Sequence, residues 1–489
     1  TSAVRNDGSS TFGPADRRHN FFKFSTAWEF SKFYTPSFVN FGKLRLAYGQ
    51  AGEEPRVYAI FAGYTSPSLF SVGEKASLGL NYNGVTGYRS DDEVSNFRIR
   101  PERRNEYEGG TDLALFNGRV GISTTFYNAI STDIIYDIDV IPSTGSDEMT
   151  ANGASIQNNG LELTFDYRVM DKKKIKWETK FIYASNRNTV LEMNGVDADM
   201  AKTMDPNLIP SQGIAKFSEV SPGHEYAEFK VLSWARFGHG LAVDHDLDIN
   251  TPDVAIDSLS DYNWKKNDVY IGENGLPIMY SEKIWSGYAP NPDWTGSFYN
   301  DIKIGKKIKL SCLLDISMGG HIANYTKNSL YEWGTHADTD KRYHPDFDNP
   351  DWFGYEEGVT TEWGKGIFQE LINHGHKALG PGQDTIITFS QNLYENYMGR
   401  NTDVINNIED ASYMKLREIA LSYNFGPVKI GYLGDPNLTI RISAQDLKTW
   451  TNYSGWDPET NMYQDRISGE DYFNQPQTWR ANMAIQFNW

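Results

Sequence analysis

A single cysteine, Cys312, stands among 489 residues, so neither an intrachain disulfide nor a thiolate metal cluster can hold this chain together. No apolar run approaches the roughly 20 residues that a membrane-spanning helix needs, and any membrane role therefore falls to strands. Cationic side chains are in deficit, with 46 Lys and Arg against 64 Asp and Glu and a formal net charge of −18. Nucleic-acid binding leaves a footprint of clustered Lys and Arg, so no nucleic-acid partner is expected. The chain opens without a secretory signal, Thr1 to Arg5 reading at once as the tail of a strand, which suggests that a preceding piece has been removed. Catalytic signatures are missing as well: there is no nucleophile elbow, no HExxH and no phosphate loop. The expectation is a protein that is not an enzyme and carries no cofactor.

What the chain does have is aromatics, at 14%, and 43 glycines, on a polar background with a mean hydropathy of −0.56. Alternating strands with aromatic girdles and polar loops give that mixture. Thr478 to Trp489 states the pattern most openly. Trp479, Ala481, Met483, Ile485, Phe487 and Trp489 fall on one face of an extended strand, and Arg480, Asn482, Ala484, Gln486 and Asn488 on the other. A half-buried strand of a soluble sandwich shows the same alternation, so this strand alone leaves both readings open.

The rest of the chain decides between them. Period-two segments recur at Phe21 to Phe30, Phe41 to Gly49, Glu106 to Phe116, Arg119 to Asn128, Gly160 to Val169 and from Ile175 to Tyr183. They continue at Trp294 to Ile304, Lys307 to Met318, Tyr413 to Phe425 and Asn437 to Gln445. Asn117-Gly118 predicts a type I′ hairpin, because Asn and Gly tolerate its positive φ angles. Counted with both ends, about twelve strands alternate short connections with long ones. The long connections fall at about 52–104, 129–158, 186–293, 319–410 and 449–477. Short turns at one end and long loops at the other are the organisation of an outer-membrane β-barrel, each strand being close to the 9–11 residues that cross a bilayer at a tilt. The fold expected is all-β, a transmembrane antiparallel barrel with long extracellular loops. An outer-membrane phospholipase is a barrel of about this strand number and stands as the enzyme alternative.

Several segments resemble, in order, the TonB-dependent outer-membrane transporters of the SusC and RagA type. They are Arg5-Asn6-Asp7-Gly8-Ser9-Ser10-Thr11-Phe12-Gly13, Leu44-Arg45-Leu46-Ala47-Tyr48-Gly49-Gln50-Ala51-Gly52, and Arg100-Pro101-Glu102 with Tyr107-Glu108-Gly109-Gly110. Asn158-Asn159-Gly160-Leu161-Glu162-Leu163, Asp410-Ala411-Ser412-Tyr413-Met414-Lys415-Leu416-Arg417, and Ala444-Gln445-Asp446-Leu447 with Trp456-Asp457-Pro458-Glu459 complete the series. The resemblance implies residues 1–489 to be the C-terminal part of a single barrel of the plugged, 22-strand class, without its plug and N-terminal strands. It further implies import of oligosaccharides or peptides, a SusD-like surface lipoprotein as partner, and TonB acting through a plug not present in this chain. Outer-membrane lipid and the remaining N-terminal part of the barrel are the other implied partners. The alternative is a transport-inactive barrel serving as a structural scaffold.

Candidate contact residues come from the aromatic loop 319–410, where Trp333, Tyr343, Trp352, Phe353, Tyr355 and Trp363 interleave with aspartates. Flat rings beside carboxylates can stack on sugars or grip a peptide, and they can equally pack a loop against itself. Ile485, Phe487 and Trp489 form the aromatic end that, by the resemblance, the barrel-assembly machinery reads. No metal is expected. Asp244, Asp246 and Asp248 alternate as in a calcium loop but lack its central glycine and closing glutamate. The pair His374 and His376 has no specific zinc spacing.

Overall fold

The computed structural model describes residues 1–14, 16–33, 36–61, 63–65, 81–82, 85–86, 88–90, 93–140, 146, 148–193, 212–213, 217–233, 283–333, 335, 407–429, 431, 434–462 and 469–488. Twelve strands form one sheet: β1 (Ser2–Gly8), β2 (Arg18–Trp28), β3 (Val39–Glu53), β4 (Glu102–Leu115), β5 (Val120–Asp139) and β6 (Glu148–Lys172). The second six are β7 (Ile175–Met193), β8 (Trp294–Ile304), β9 (Ile308–Met318), β10 (Tyr413–Pro427), β11 (Asn437–Thr451) and β12 (Arg480–Asn488). Each strand pairs with its neighbours in chain order, so the sheet is an antiparallel meander whose outer strands are β1 and β12. Among the described residues no helix is long and apolar enough to cross a membrane.

Register explains why the pattern in the sequence becomes two surfaces. Opposite partners share a face, and Phe24↔Tyr48, Leu46↔Gly109, Phe126↔Leu161 and Ile440↔Ile485 all fall on the same one. That face stays exposed although it is apolar: Phe22, Phe24, Trp28, Leu46, Phe126, Leu421, Phe425, Ile442 and Met483 are among its uncovered side chains. A contiguous apolar surface of this extent is foreign to water-soluble monomers and suits a hydrocarbon solvent. The opposite face carries Lys43, Arg45, Asp112, Asp315 and Arg417, joined by hydrogen bonds and ion pairs.

Turn chemistry follows the sequence at the short-connection end. Asn117 and Gly118 both have positive φ, 58° and 69°, as a type I′ turn requires. Gly305 supplies φ 60° between β8 and β9.

Strand lengths depart from expectation at the other end. Residues 129–158, expected as a loop, are largely paired strand: the β5–β6 ladder runs from Tyr167↔Val120 out to Glu148↔Asp139. Register shifts at Asn152/Ala154 and Ala154/Ile156, with another at Ser155/Ile156 on the β7 side, break the period of two that a sequence reader follows. β7 likewise continues past Tyr183 to Met193, so the loop expected from 186 begins after 193.

Beyond the strand ends the long connections build a second layer. A four-stranded sheet joins Gln212–Gly213, Ser218–Val220, Glu228–Val231 and Ile284–Trp285. A three-stranded one joins Ile408–Asp410, His321–Asn324 and Glu470–Asp471, and helix α1 (Tyr325–Glu332) follows His321–Asn324 directly. Phe217, Phe229, Val231, Ala323 and Ile408 share one buried cluster, which ties together connections far apart in the chain.

Candidate functional site

The polar face is organised around carboxylates that each serve several cations. On β4, Asp112 takes Arg45 Nε at 3.0 Å, Lys43 at 3.4 Å and the Ser123 hydroxyl at 2.7 Å. A Cβ at the neighbouring Gly110 would lie 2.8 Å from the Arg45 guanidinium and 2.7 Å from the Thr124 carbonyl, so glycine is what lets Arg45 lie flat there. Gly160 plays a similar part for Tyr127, whose ring occupies the space that a Cβ would need. Lys309 reaches Asp301 at 2.8 Å on β8 and β9.

The densest part of this network lies on β10. Tyr413, Lys415 and Arg417 occupy successive positions of one strand face, and all three reach Glu459 in the β11–β12 connection. Tyr413 donates its hydroxyl at 2.5 Å, and Arg417 donates through both terminal nitrogens, Nη1 at 2.9 Å. Lys415 is 1% exposed and also donates to both Asp457 oxygens and to Gln477 Oε1, each at 3.3 Å. Burial alone would raise the Glu459 pKa, but the hydrogen bonds from Arg417, Lys415 and Tyr413 outweigh it and bring the carboxyl down to about 2. Two motifs that the sequence presents forty residues apart, Tyr413 to Arg417 and Trp456 to Glu459, are thus the two halves of one clamp.

Arg417 also spans to Asp315 at 2.7 Å and Asp446 at 3.3 Å. Asp446 has a positive φ of 54° and sits in a bulge, where Leu416 pairs with Lys448 and Glu418 with Gln445. Asp tolerates that conformation better than most residues, and the bulge turns its carboxylate toward Arg417 and Arg480. The clamp carries the returning segment 475–478 across this part of the sheet. Between segment and strands lies a cavity of about 670 Å³, its wall including Leu313, Asp315, Arg417, Asp446, Gln475 and Arg480.

At the long-loop end a second set of contacts locks the loops to one another. Glu409 receives Lys327 at 3.0 Å and the Ser454 amide at 2.8 Å; burial opposes its ionisation, but these partners hold its pKa below the usual carboxylate value. Asp471 accepts from Tyr453 at 2.6 Å and from Thr326 at 3.1 Å, and burial together with that carboxylate keeps the Tyr453 phenol protonated. Rings line the edge of this block: Phe217 edge-on to Tyr325, Tyr325 stacked on Tyr472, and Trp333 stacked on Phe473 at 5.3 Å.

Of the loop aromatics singled out in the sequence, Trp333 is 56% exposed and packs on Phe473, a partner that no periodic pattern announced. Tyr343, Trp352, Phe353, Tyr355 and Trp363 lie outside the described residues, as do Asp244, Asp246, Asp248, His374 and His376. Among the described residues no group of His, Cys, Asp and Glu is placed to hold a metal. Ile485 and Phe487 lie on the exposed apolar face of β12, and Trp489 is outside the described residues. Sequence reading passed over the charge clamp because its members are spread across two strands and a loop; the shared strand face of Tyr413, Lys415 and Arg417 was the available signal.

No protein-family model matches the chain. TonB-dependent receptor P39 of Formosa agariphila is 24% identical over 473 residues, covering 94% of this chain and 41% of the receptor. TonB-dependent receptor SusC of Bacteroides thetaiotaomicron is 22% identical over 281 residues, covering 56% of this chain and 27% of SusC. Among solved structures, the RagAB peptide importer in its closed-closed state superposes with a TM-score of 0.66 at 16% identity, over 99% of this chain and 45% of that one. The chain resembles the barrel of SusC-type TonB-dependent receptors. Its place is the outer membrane, and its fold is a transmembrane antiparallel barrel wall, with the exposed apolar face toward lipid and the charged face toward the lumen. The relatives are receptors and importers, and the chain spans about 41% of the length of the Formosa receptor. In a SusC-type wall the clamp and its cavity look into the lumen.

Proposed function

We propose that this chain is the C-terminal part of the wall of a SusC-like importer, which takes up oligosaccharides or peptides across the outer membrane together with a SusD-like lipoprotein. The observation that carries the reading is the twelve-strand meander with an exposed apolar face on one side and clusters of paired charges on the other. A polar surface of this kind holds loops and lines a wet path, as an importer requires. In this reading further strands close the barrel between the free edges of β1 and β12, since a sheet in lipid leaves no edge exposed. The knitted long-loop layer forms the outer platform on which the lipoprotein rests, and TonB supplies energy through a plug in the lumen.

The test is uptake by the whole protein in its own outer membrane. Removing the gene is expected to abolish accumulation of one class of nutrient, and affinity purification of the intact transporter is expected to retain a surface lipoprotein. Unchanged uptake with the barrel deleted, or a barrel that purifies with structural proteins and no lipoprotein, would point to a scaffold instead.

A further inference from the structure

Positive charge at the short-connection end of the wall is gathered in one place, whatever cargo the barrel carries. The β6–β7 connection reads Lys172-Lys173-Lys174-Ile175-Lys176-Trp177, and the β8–β9 connection Lys303-Ile304-Gly305-Lys306-Lys307-Ile308-Lys309. Backbone hydrogen bonds hold these two similar turns side by side. The Gly305 amide donates to the Lys174 carbonyl at 2.7 Å, and the Asn424 amide of β10 donates to the Lys307 carbonyl at 2.7 Å. Both turns lie in the interior of the meander, several strands from β1 and β12.

Other cations at this end have partners within the chain. On the lumenal side Lys176 pairs with Asp171 at 3.3 Å and Lys309 with Asp301 at 2.8 Å. In the β2–β3 connection Lys32 meets Glu29 at 2.7 Å. At the β4–β5 turn Arg119 lies over the Tyr167 ring and donates to the carbonyls of Arg168 and Val169. Lys172, Lys173, Lys174, Lys306 and Lys307 differ: all five are exposed, and none has a carboxylate in ion-pair range among the described residues. These five unbalanced cations belong to a chain whose formal net charge is −18.

We propose that these two turns form a binding site for an anionic phospholipid, the lysines holding its headgroup phosphate and the adjoining apolar face its acyl chains. Lipid-facing residues begin directly beside the lysines: Lys172 is opposite Ile175, and Ile304 is opposite Ile308. Ile175 and Ile304 are exposed on that face, and Trp177 and Tyr423 lie beside them, where rings mark the border of the hydrocarbon. A lysine stem rests along such a surface while its ammonium group reaches the polar layer. Clusters of roughly four to eight cations at a membrane boundary attract anionic headgroups. An acidic protein would have to reach the same lysines past the bilayer that covers Ile175 and Ile304, whereas a lipid headgroup is already at that level. Concentration of the unpaired lysines in two bonded turns, with the cations of the β2–β3 and β4–β5 connections engaged elsewhere, makes this a local site and not a diffuse margin.

The test is native mass spectrometry of the whole protein in detergent with equimolar phosphatidylglycerol and phosphatidylcholine of the same acyl chains. Retained phosphatidylglycerol is expected to exceed phosphatidylcholine by about tenfold, and the excess to shrink in high salt. Replacing Lys173, Lys174, Lys306 and Lys307 together by Gln is expected to bring the ratio near one, and replacing them by Arg to preserve it. The pairs Lys173→Gln with Lys174→Gln and Lys306→Gln with Lys307→Gln, made separately, are each expected to lower it in part. Lys32→Gln with Lys429→Gln, in other short connections, is expected to leave it unchanged, and heat-modifiable migration checks the folding of every variant. Equal retention of the two lipids, a preference that survives in the folded Gln variants, or one lost equally in the Lys32 and Lys429 variant would overturn the proposal. Inorganic phosphate and polyglutamate, added in turn, are expected to leave the lipid bound. Displacement by phosphate would reduce the turns to an ion site and displacement by polyglutamate would make them a protein-docking surface, and either result overturns the lipid assignment.

Discussion

Lys415 and Glu459 show how much a single pair of residues can do on the inside of a barrel wall. Lys415 is buried among Asp457, Glu459 and Gln477, so its charge is tolerated only because three acceptors surround it. Lys415→Met would leave those carboxylates without their buried partner. A loss of roughly 3 kcal/mol is expected, the scale of breaking a buried ion pair, read as a lower temperature for the heat-modifiable shift on gels. An unshifted temperature would mean that Arg417 and Tyr413 carry the clamp alone. Glu459 gives the same contact a pH dependence. Its pKa falls from the ordinary 4.5 to about 2 on folding, so its stabilising contribution is complete above about pH 4.5 and is lost as the pH falls toward 2. The protection factors of amides across 457–462, taken relative to the intrinsic exchange rate at each pH, should therefore fall on acidification from pH 5 to pH 3 more in the unaltered protein than in Glu459→Gln, which has no such proton to take up.

Among elements, β12 and the β4–β5 hairpin bear the consequences of their faces most directly. Ile485 pairs with Ile440 and points to the apolar side, so Ile485→Arg would set a cation in lipid at a cost of roughly 2–4 kcal/mol near mid-bilayer. Assembly in the outer membrane is expected to fall, and assembly equal to that of the unaltered protein would reverse the assignment of faces. In the hairpin, Gly118 holds φ 69° at the turn. Gly118→Val would force a branched side chain into the left-handed region, costing about 1–2 kcal/mol. Slower appearance of the heat-modifiable form in refolding is the measurement. The hairpin was legible in the sequence because Asn-Gly has few other uses between two alternating runs. The outer halves of β5, β6 and β7 were not, because bulges at Ala154 and Ile156 and residues such as Ser131, Thr132 and Asp133 erase the alternation where strands leave the apolar layer. Backbone pairing continues there without any hydrophobic face to announce it.

At the scale of the whole molecule the described residues form two layers with different reasons to fold. The sheet is held by backbone pairing between neighbours in sequence, and the long-loop layer by contacts between remote connections around Phe229, which is fully buried. Phe229→Ala would open a cavity worth about 3–5 kcal/mol in that upper core. Hydrogen-exchange protection is expected to drop in 217–233, 321–324 and 408–410 while β8 to β11 keep theirs. Loss of protection in both layers together would show that they fold as one unit.

The sequence by itself determined most of the sheet: outside the bulged ends of β5 to β7 alternation assigns the faces, Asn117-Gly118 and Gly305 mark two of the short turns, and the order of strands follows the chain because each pairs with the next. The resemblance to SusC-type transporters was legible for the same reason, its motifs being local strings such as Leu44-Arg45-Leu46 and Tyr413 to Arg417. Only the tertiary structure decided what those strings are for. It placed Glu459 under three side chains of β10, seated Phe473 against Trp333 and balanced the charges around the lumenal cavity. Each of these joins residues that are remote in the chain, and a contact of that kind leaves no periodic trace because it depends on where two backbones come to lie, not on the spacing of side chains along one.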